Sequence, residues 1–353
     1  MDGALAQHRS GRCAALKVAL DAQLAVGTPT GIGEYVRGLV PALRQRGLEV
    51  DELCEPRLDP WRFDRRIVWD QFILPQRARR SGAQVLHCAS GTMPLRAPLP
   101  VVATVHDVAW LRVQDHARAY ARWYFGRFSL ARYARAAAIL CDSEFSRREL
   151  LDASGQLVPE RVHVAYPGVA RAFCELARTP DRRTILVVGT VERRKNLAWI
   201  VDLLAELPQA RIVSVGPFTP YARECLGRAR ALGVEERVEL RGYVGPDELV
   251  ELYERAAVAA VPSVYEGFGY AVAQALCAGL PCVASDRTSL PEVACGDATI
   301  LPLGERVAWR NALADALMGA LDEHASAVRA RSVERFSWSR AADVVARAYR
   351  DTV

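Results

Sequence analysis

Val261 to Glu292 reads VPSVYEGFGYAVAQALCAGLPCVASDRTSLPE, and this stretch decides the fold. The apolar run Val258 to Val261 stops at Pro262, as a buried strand does. Glu266-Gly267-Phe268-Gly269 cannot lie inside a helix, where each glycine costs about 1 kcal/mol. Val272, Leu276 and Gly279 then fall at helical spacing, and Gly279-Leu280-Pro281 closes that helix. Pro281 to Ala284 begins the next buried strand. Strand, glycine turn, helix, strand is the repeating unit of a parallel α/β sheet. Such sheets bind ligands in the crevice at the C-terminal ends of their strands. Free amides and the helix dipole at that end favour a phosphate.

Working outward, the same unit recurs on both sides. Lys17 to Leu24 reads as a first strand, followed by the loop GTPTGIG and a helix from Glu34 to about Arg46. Pro41 inside that helix predicts a kink or early break. Glycines 31 and 33 would let the backbone approach a ligand. Gln84–His87 and Val101–Val105 read as buried strands, the second ending in His106-Asp107 at a strand tip. AILCDSEFSRREL gives a strand, a Ser143 cap and a helix. Arg161 to Tyr166 is a further strand, and Pro167 to Asp181 is the expected hinge. A second series restarts at Thr184 with TILVVGT, then VERRKNLAWIVDLLAEL. Strands at Ile212–Gly216 and Val238–Leu240 follow. Arg193, Arg194 and Lys195 stand at a helix start, where cations oppose the macrodipole, so a bound anion is the expected reason for them.

At 353 residues the chain is long enough for two domains. The expected division is 1–172 and 173–336, with a C-terminal helix over 337–353 packing back on the first. No apolar run reaches membrane-spanning length, and residues 1–16 lack the apolar stretch of a secretory signal. Nine cysteines are scattered without C-x-x-C spacing, as small core residues in a reducing cytoplasm would be. Neither a histidine–cysteine cluster nor an Asp-x-Asp is present to hold a metal, so no metal is expected. Residues 1–172 carry 24 Lys and Arg against 17 Asp and Glu, a balance of +7, while residues 173–353 carry 22 against 24. The first half is therefore the half that should meet an anionic partner. No nucleic-acid-binding motif accompanies it. In residues 61–80, WRFDRRIVWDQFILPQRARR, arginines alternate with aromatics. Two readings stand side by side: a solvated helix face with aromatic anchors, or a contact surface for a lipid-linked acceptor or an anionic membrane. The segment 116–136 reads as a helix of the same arginine–aromatic character.

With these motifs in this order, the chain resembles the retaining glycosyltransferases of family 4, which have the GT-B fold: two Rossmann-like parallel-sheet domains facing across a cleft. The resemblance runs from Lys17 nearly to the end. TGIGEY resembles the family's GGIGRY loop, TVHDVAWLR its donor-facing histidine segment, and RGYVGPDELVELY its base-holding loop. The resemblance implies catalytic roles for Glu266, His106, Lys195 and Arg194: Glu266 on the donor sugar, His106 lining its other face, Lys195 and Arg194 on the diphosphate. It implies donor contacts at Gly31, Gly33, Thr190, Tyr243, Val244, Gly267, Phe268, Gly269, Tyr270, Ala271, Val272 and Gln274. The family's second acid, eight positions after the first, is here Gln274, which can still hydrogen-bond a ribose but without charge. The family often has arginine where Thr190 stands.

The implied reaction is retaining sugar transfer from a nucleotide sugar to a glycan or lipid-linked hydroxyl, without protein nucleophile, cofactor or metal. The leaving phosphate would take the acceptor's proton. Nearest in pattern are the mannosyltransferase-like members of bacterial surface-polysaccharide synthesis. GDP-mannose is thus the first expected donor, and a UDP- or dTDP-sugar the second. A cytoplasmic chain, peripheral at the inner face of the membrane, follows. A GT-B sugar-nucleotide epimerase and a non-catalytic donor-binding partner are the rival readings. A phosphorylase would need a pyridoxal lysine, and the chain has only Lys17 and Lys195.

Overall fold

Continuous apolar runs such as VVATV, AILC and AAVAAV are what a strand buried on both faces requires, and they form the centres of two sheets. The computed structural model describes residues 15–27, 31–113 and 122–353. The first sheet contains β1 (Lys17–Asp21), β2 (Glu49–Leu53), β3 (Val85–Cys88), β4 (Val101–Val105), β5 (Ala138–Cys141) and β6 (Val162–Val164), in the order β2-β1-β3-β4-β5-β6. The second contains β7 (Asp181–Val188), β8 (Arg211–Val215), β9 (Val238–Gly242), β10 (Ala256–Val261), β11 (Cys282–Ser285) and β12 (Thr299–Leu301), in the order β12-β11-β10-β7-β8-β9. Every pairing is parallel, with registers such as Val18 opposite Val85 and Ala259 opposite Cys282.

Each sheet reverses its winding once. In the first the reversal lies between β1 and β3; in the second, between β7 and β10. Helices leave the adjacent strands there on opposite faces, which opens a crevice at the strand tips. The residues after β7 and β10 are therefore the ones that fold topology alone places in a binding crevice.

The chain returns at its end to where it began. Trp338–Arg350 packs along the helix Gly31–Gln45, and Val345, Ala346 and Tyr349 join the first sheet's core. A Cβ at Gly38 would fall within 2.4 Å of the Trp338 ring atoms, so only glycine lets the two helices meet there. Arg46 Nε donates to Asp343 at 2.7 Å across the same contact, and Tyr349 Oη lies 2.6 Å from His87 Nδ1. The other His87 nitrogen is 2.7 Å from Thr104 Oγ1. Burial pushes that imidazole down to about 3, so it stays neutral at ordinary pH.

Several sequence expectations need correction. The helix after β1 already includes Gly31 and runs to Gln45 across Pro41 without a break. Gly31 and Gly33 thus lie in a helical turn and not in a loop. Gly33 is needed because a Cβ would come within 2.7 Å of the Leu24 carbonyl, while a Cβ at Gly31 would meet nothing. Residues 63–80 are helical throughout, with a π turn at Trp69–Ile73. Two edge strands, β2 and β12, escaped the pattern: EVDEL carries three acids in five residues, and TIL is only three residues long. The segment expected as hinge contains a short helix, Arg171–Glu175. Part of the helix expected over 116–136 lies outside the described residues; from Trp123 to Tyr133 the chain is helical.

Candidate functional site

The turn after β10 carries Glu266, and its carboxylate points inward, not to solvent. Glu266 is 6% exposed. Its Oε1 accepts from Lys195 Nζ at 2.5 Å and from Ser263 Oγ at 2.7 Å, and its Oε2 from Arg194 Nη1 at 3.2 Å. Burial opposes the charge, but Lys195 and Arg194 outweigh it and hold the carboxyl below its ordinary range. Lys195 arrives from the turn after β7, the strand beside β10. The switch-point crevice therefore contains a carboxylate with two cations.

The three clustered cations separate in space. Arg193 turns away to Glu224, at 2.6 and 2.7 Å, and lies over the Tyr221 ring. Arg194 spends its guanidinium on Glu192, on the Tyr265 carbonyl and on Glu266. Lys195 is the cation of the three that reaches Glu266 with its remaining hydrogens undirected to any described acceptor. Its side chain is 19% exposed.

Across the cleft, His106 follows β4. Its Nε2 is 2.9 Å from the Ala89 carbonyl, which can only accept, so Nε2 carries a hydrogen. Its Nδ1 is 2.7 Å from Asp142 Oδ2, at the tip of β5. One proton is shared there. Burial works against a charged imidazole, but Asp142 overcomes it and the His106 pKa is raised; burial likewise raises Asp142. The Tyr35 ring meets His106 edge-on at 5.1 Å. Both imidazole nitrogens are thus committed to the protein, which leaves only the ring edge for a ligand.

Gly267 joins the two halves. A Cβ there would sit 2.3 Å from the His106 carbonyl oxygen and 2.6 Å from Asp107 Cβ. Its own carbonyl accepts from Ser143 Oγ at 2.5 Å and stands 2.8 Å from Ser146 Oγ. Gly269, at φ +99°, then turns the chain into the helix Tyr270–Cys277. Phe268, Ala271 and Val272 bury their side chains in the core; of the donor contacts expected of them, only backbone amides can serve. Val244 is buried as well, whereas Tyr243 is 46% exposed; it follows Gly242, which lies against Phe218, an exposed ring that sequence reading had not singled out. Thr190 is half-buried at the tip of β7. The amide oxygen of Gln274 accepts from Tyr253 Oη at 3.1 Å, which leaves its NH2 as the free donor.

As site residues, sequence reading missed Asp142, Ser146, Ser263 and Glu292; Ser143, read as a helix cap, is that cap and reaches Gly267 as well. Asp142 is the residue that carried a local signal, being an acid at a strand tip. Among the described residues, no group of His, Cys, Asp and Glu could hold a metal ion, and no helix is long and apolar enough to cross a membrane.

Two family models match this arrangement. Glycosyltransferase family 4 matches residues 29–173, and glycosyl transferases group 1 matches residues 182–322, so the pair covers both sheets. The chain belongs to the family 4 glycosyltransferases. Among relatives, this family 4 chain is similar to O-antigen chain mannosyltransferase B of Escherichia coli, 26% identical over 215 residues, 57% of this chain and 56% of that protein. It is 29% identical over 224 residues to D-inositol 3-phosphate glycosyltransferase of Corynebacterium glutamicum, 55% of this chain and 53% of that protein. The match spans about half the length of these curated relatives. Solved structures share the GT-B fold over nearly the whole chain. Anabaena HepE in complex with UDP and glucose superposes with a TM-score of 0.72 at 16% identity, covering 95% of this chain and 99% of that one. Sucrose-phosphate synthase from Thermosynechococcus elongatus gives 0.74 at 21% identity, covering 95% and 98%.

Proposed function

We propose that this family 4 chain transfers a sugar from a nucleotide sugar to a hydroxyl of a glycan or lipid-linked acceptor, with retention, in surface polysaccharide synthesis. The observation that carries the reading is the buried Glu266 held by Lys195 and Arg194 in the β7/β10 crevice, on the turn whose Gly267 packs against the His106 backbone. Glu266 holds a donor hydroxyl through a charge-assisted hydrogen bond. Lys195 and the first amides of the helix Tyr270–Cys277 meet the charge that develops on the leaving diphosphate. Arg194 acts through Glu266, as a positioning residue. His106, held by Asp142, lines the opposite wall.

The similarity to an O-antigen mannosyltransferase supports GDP-mannose as donor, while the fold shared with a UDP-bound neighbour keeps a UDP-sugar in second place. The acceptor would approach from the first domain. Trp61, Val68, Phe72, Leu95 and Trp123 are exposed there. Arg79, Arg80, Arg96, Arg122 and Arg127 are exposed too, and none of these arginines pairs with a described acid. Gln71 ties the three segments together, donating to Tyr124 Oη at 2.9 Å and accepting from Leu95 N at 2.7 Å. Aromatic rings with unpaired arginines suit an anionic lipid surface. A thermal-shift screen against GDP, UDP and dTDP tests the donor side. The matching nucleotide at a hundredfold its dissociation constant should stabilise the fold by about 2.7 kcal/mol. No shift with any of them would remove the donor assignment.

A further inference from the structure

The stretch Thr288 to Glu292, between β11 and β12, holds the Glu266 turn from one side and the first domain from the other. Thr288 Oγ1 accepts from the Glu266 amide at 2.9 Å. Ser289 Oγ lies 3.0 Å from the Glu266 carbonyl and 2.7 Å from that of Phe268. Thr288 does this at φ +55°, a backbone shape uncommon for threonine. The Glu292 carboxylate then crosses the cleft. It accepts from the amides of Glu144 at 2.6 Å and Phe145 at 2.9 Å, and from Tyr166 Oη at 2.9 Å.

Glu144 and Phe145 open the first-domain helix Glu144–Ala153. Their amides have no partner within that helix, and a negative charge at a helix start is favourable. A carboxylate of the second domain therefore caps a helix of the first. Ser143 caps the same helix, its Oγ accepting from Ser146 N at 3.0 Å, and also donates to Gly267 O. Residues 143–146 are thus gripped from the second domain at two points, Gly267 and Glu292, and Thr288–Glu292 links those points behind Glu266.

We propose that Glu292 is a positioning residue that holds the cleft closed, so that the turn carrying Glu266 stays against the strand tip carrying His106. The effect on turnover rests on the sugar-transfer reading above; the effect on closure does not. Nucleotide binding, whose diphosphate the proposed function places on Lys195 and the start of the helix Tyr270–Cys277, should be spared.

Small-angle scattering of the full chain, nucleotide titration calorimetry with GDP and UDP, and transfer kinetics on Glu292→Ala and Glu292→Gln decide the matter. Expected for Glu292→Ala are a larger radius of gyration, a nucleotide dissociation constant within about threefold of wild type, and turnover lower by about tenfold or more. Glu292→Gln keeps one carbonyl acceptor and should fall between; if the alanine variant does not fold, the glutamine variant alone decides. Unchanged scattering with unchanged turnover overturns the proposal. So does a loss of nucleotide affinity as large as the loss of turnover, with scattering unchanged. If wild type transfers from no donor, the sugar-transfer reading fails while scattering still reports on closure.

Discussion

Lys195 Nζ lies 2.5 Å from Glu266 Oε1, so the cation and the acid, which the sequence places 71 residues apart, form one unit. Removing Lys195 leaves a buried carboxylate with Arg194 and Ser263 alone. Lys195→Ala should therefore lower turnover about a hundredfold and also cost about 2 kcal/mol of stability. Kinetics together with a melting curve checks both effects; near-normal turnover would remove the diphosphate role.

Glu266→Gln should be more damaging than Gln274→Glu. The first leaves two cations facing a neutral amide. The second keeps an acceptor for Tyr253 Oη, since either carboxylate oxygen can take that hydrogen bond. Comparing the two variants by turnover and melting temperature tests the assignment of roles along this turn and helix. Greater damage from Gln274→Glu contradicts it.

Gly267→Ala would place a methyl group against the His106 carbonyl and Asp107. Overpacking of this kind costs about 1–3 kcal/mol, and here the strain can also be relieved by parting the two domains. A lower melting temperature with a larger radius of gyration is the expected outcome, measured by calorimetry and scattering.

The His106–Asp142 pair sets a pH dependence of stability. Both pKa values are raised in the fold, so the native state binds more protons than the unfolded one. The His106 contribution is fully present below its unfolded value of about 6.5 and is lost as pH rises through the folded value. Melting curves at about pH 6 and about pH 9 should show wild type losing more stability than His106→Gln over that interval. An equal loss in both removes the pair as its cause.

The parallel sheets were legible because buried strands read as unbroken apolar runs, and Glu266, Lys195 and His106 because they stand at strand tips. Asp142 stood at a strand tip too and was overlooked; Ser146 and Glu292 were not legible as site residues. Their importance comes from what the other domain or a neighbouring strand brings within hydrogen-bond reach, and chain spacing carries no trace of that. Gly33 was misread because a glycine needed for close packing against Leu24 looks, in one dimension, like a glycine needed for a loop.

First-domain lipid contact should show as salt-sensitive binding to anionic vesicles. The exposed arginines near Trp61, Phe72 and Trp123 attract such a surface at low ionic strength, and the attraction fades as the Debye length falls below about 8 Å above physiological salt. Vesicle co-sedimentation at low and high salt checks this; no bound fraction at low salt leaves only a solvated face.

The central claim is best tested by nucleotide release from a panel of GDP-, UDP- and dTDP-sugars, comparing wild type with Glu266→Gln, each with and without a strong chelator. Expected is release of one nucleoside diphosphate by wild type, undiminished by chelator because Lys195 and the helix amides supply the positive charge, and about a hundredfold slower in Glu266→Gln. Absence of release from every donor, or equal release by both proteins, would contradict it.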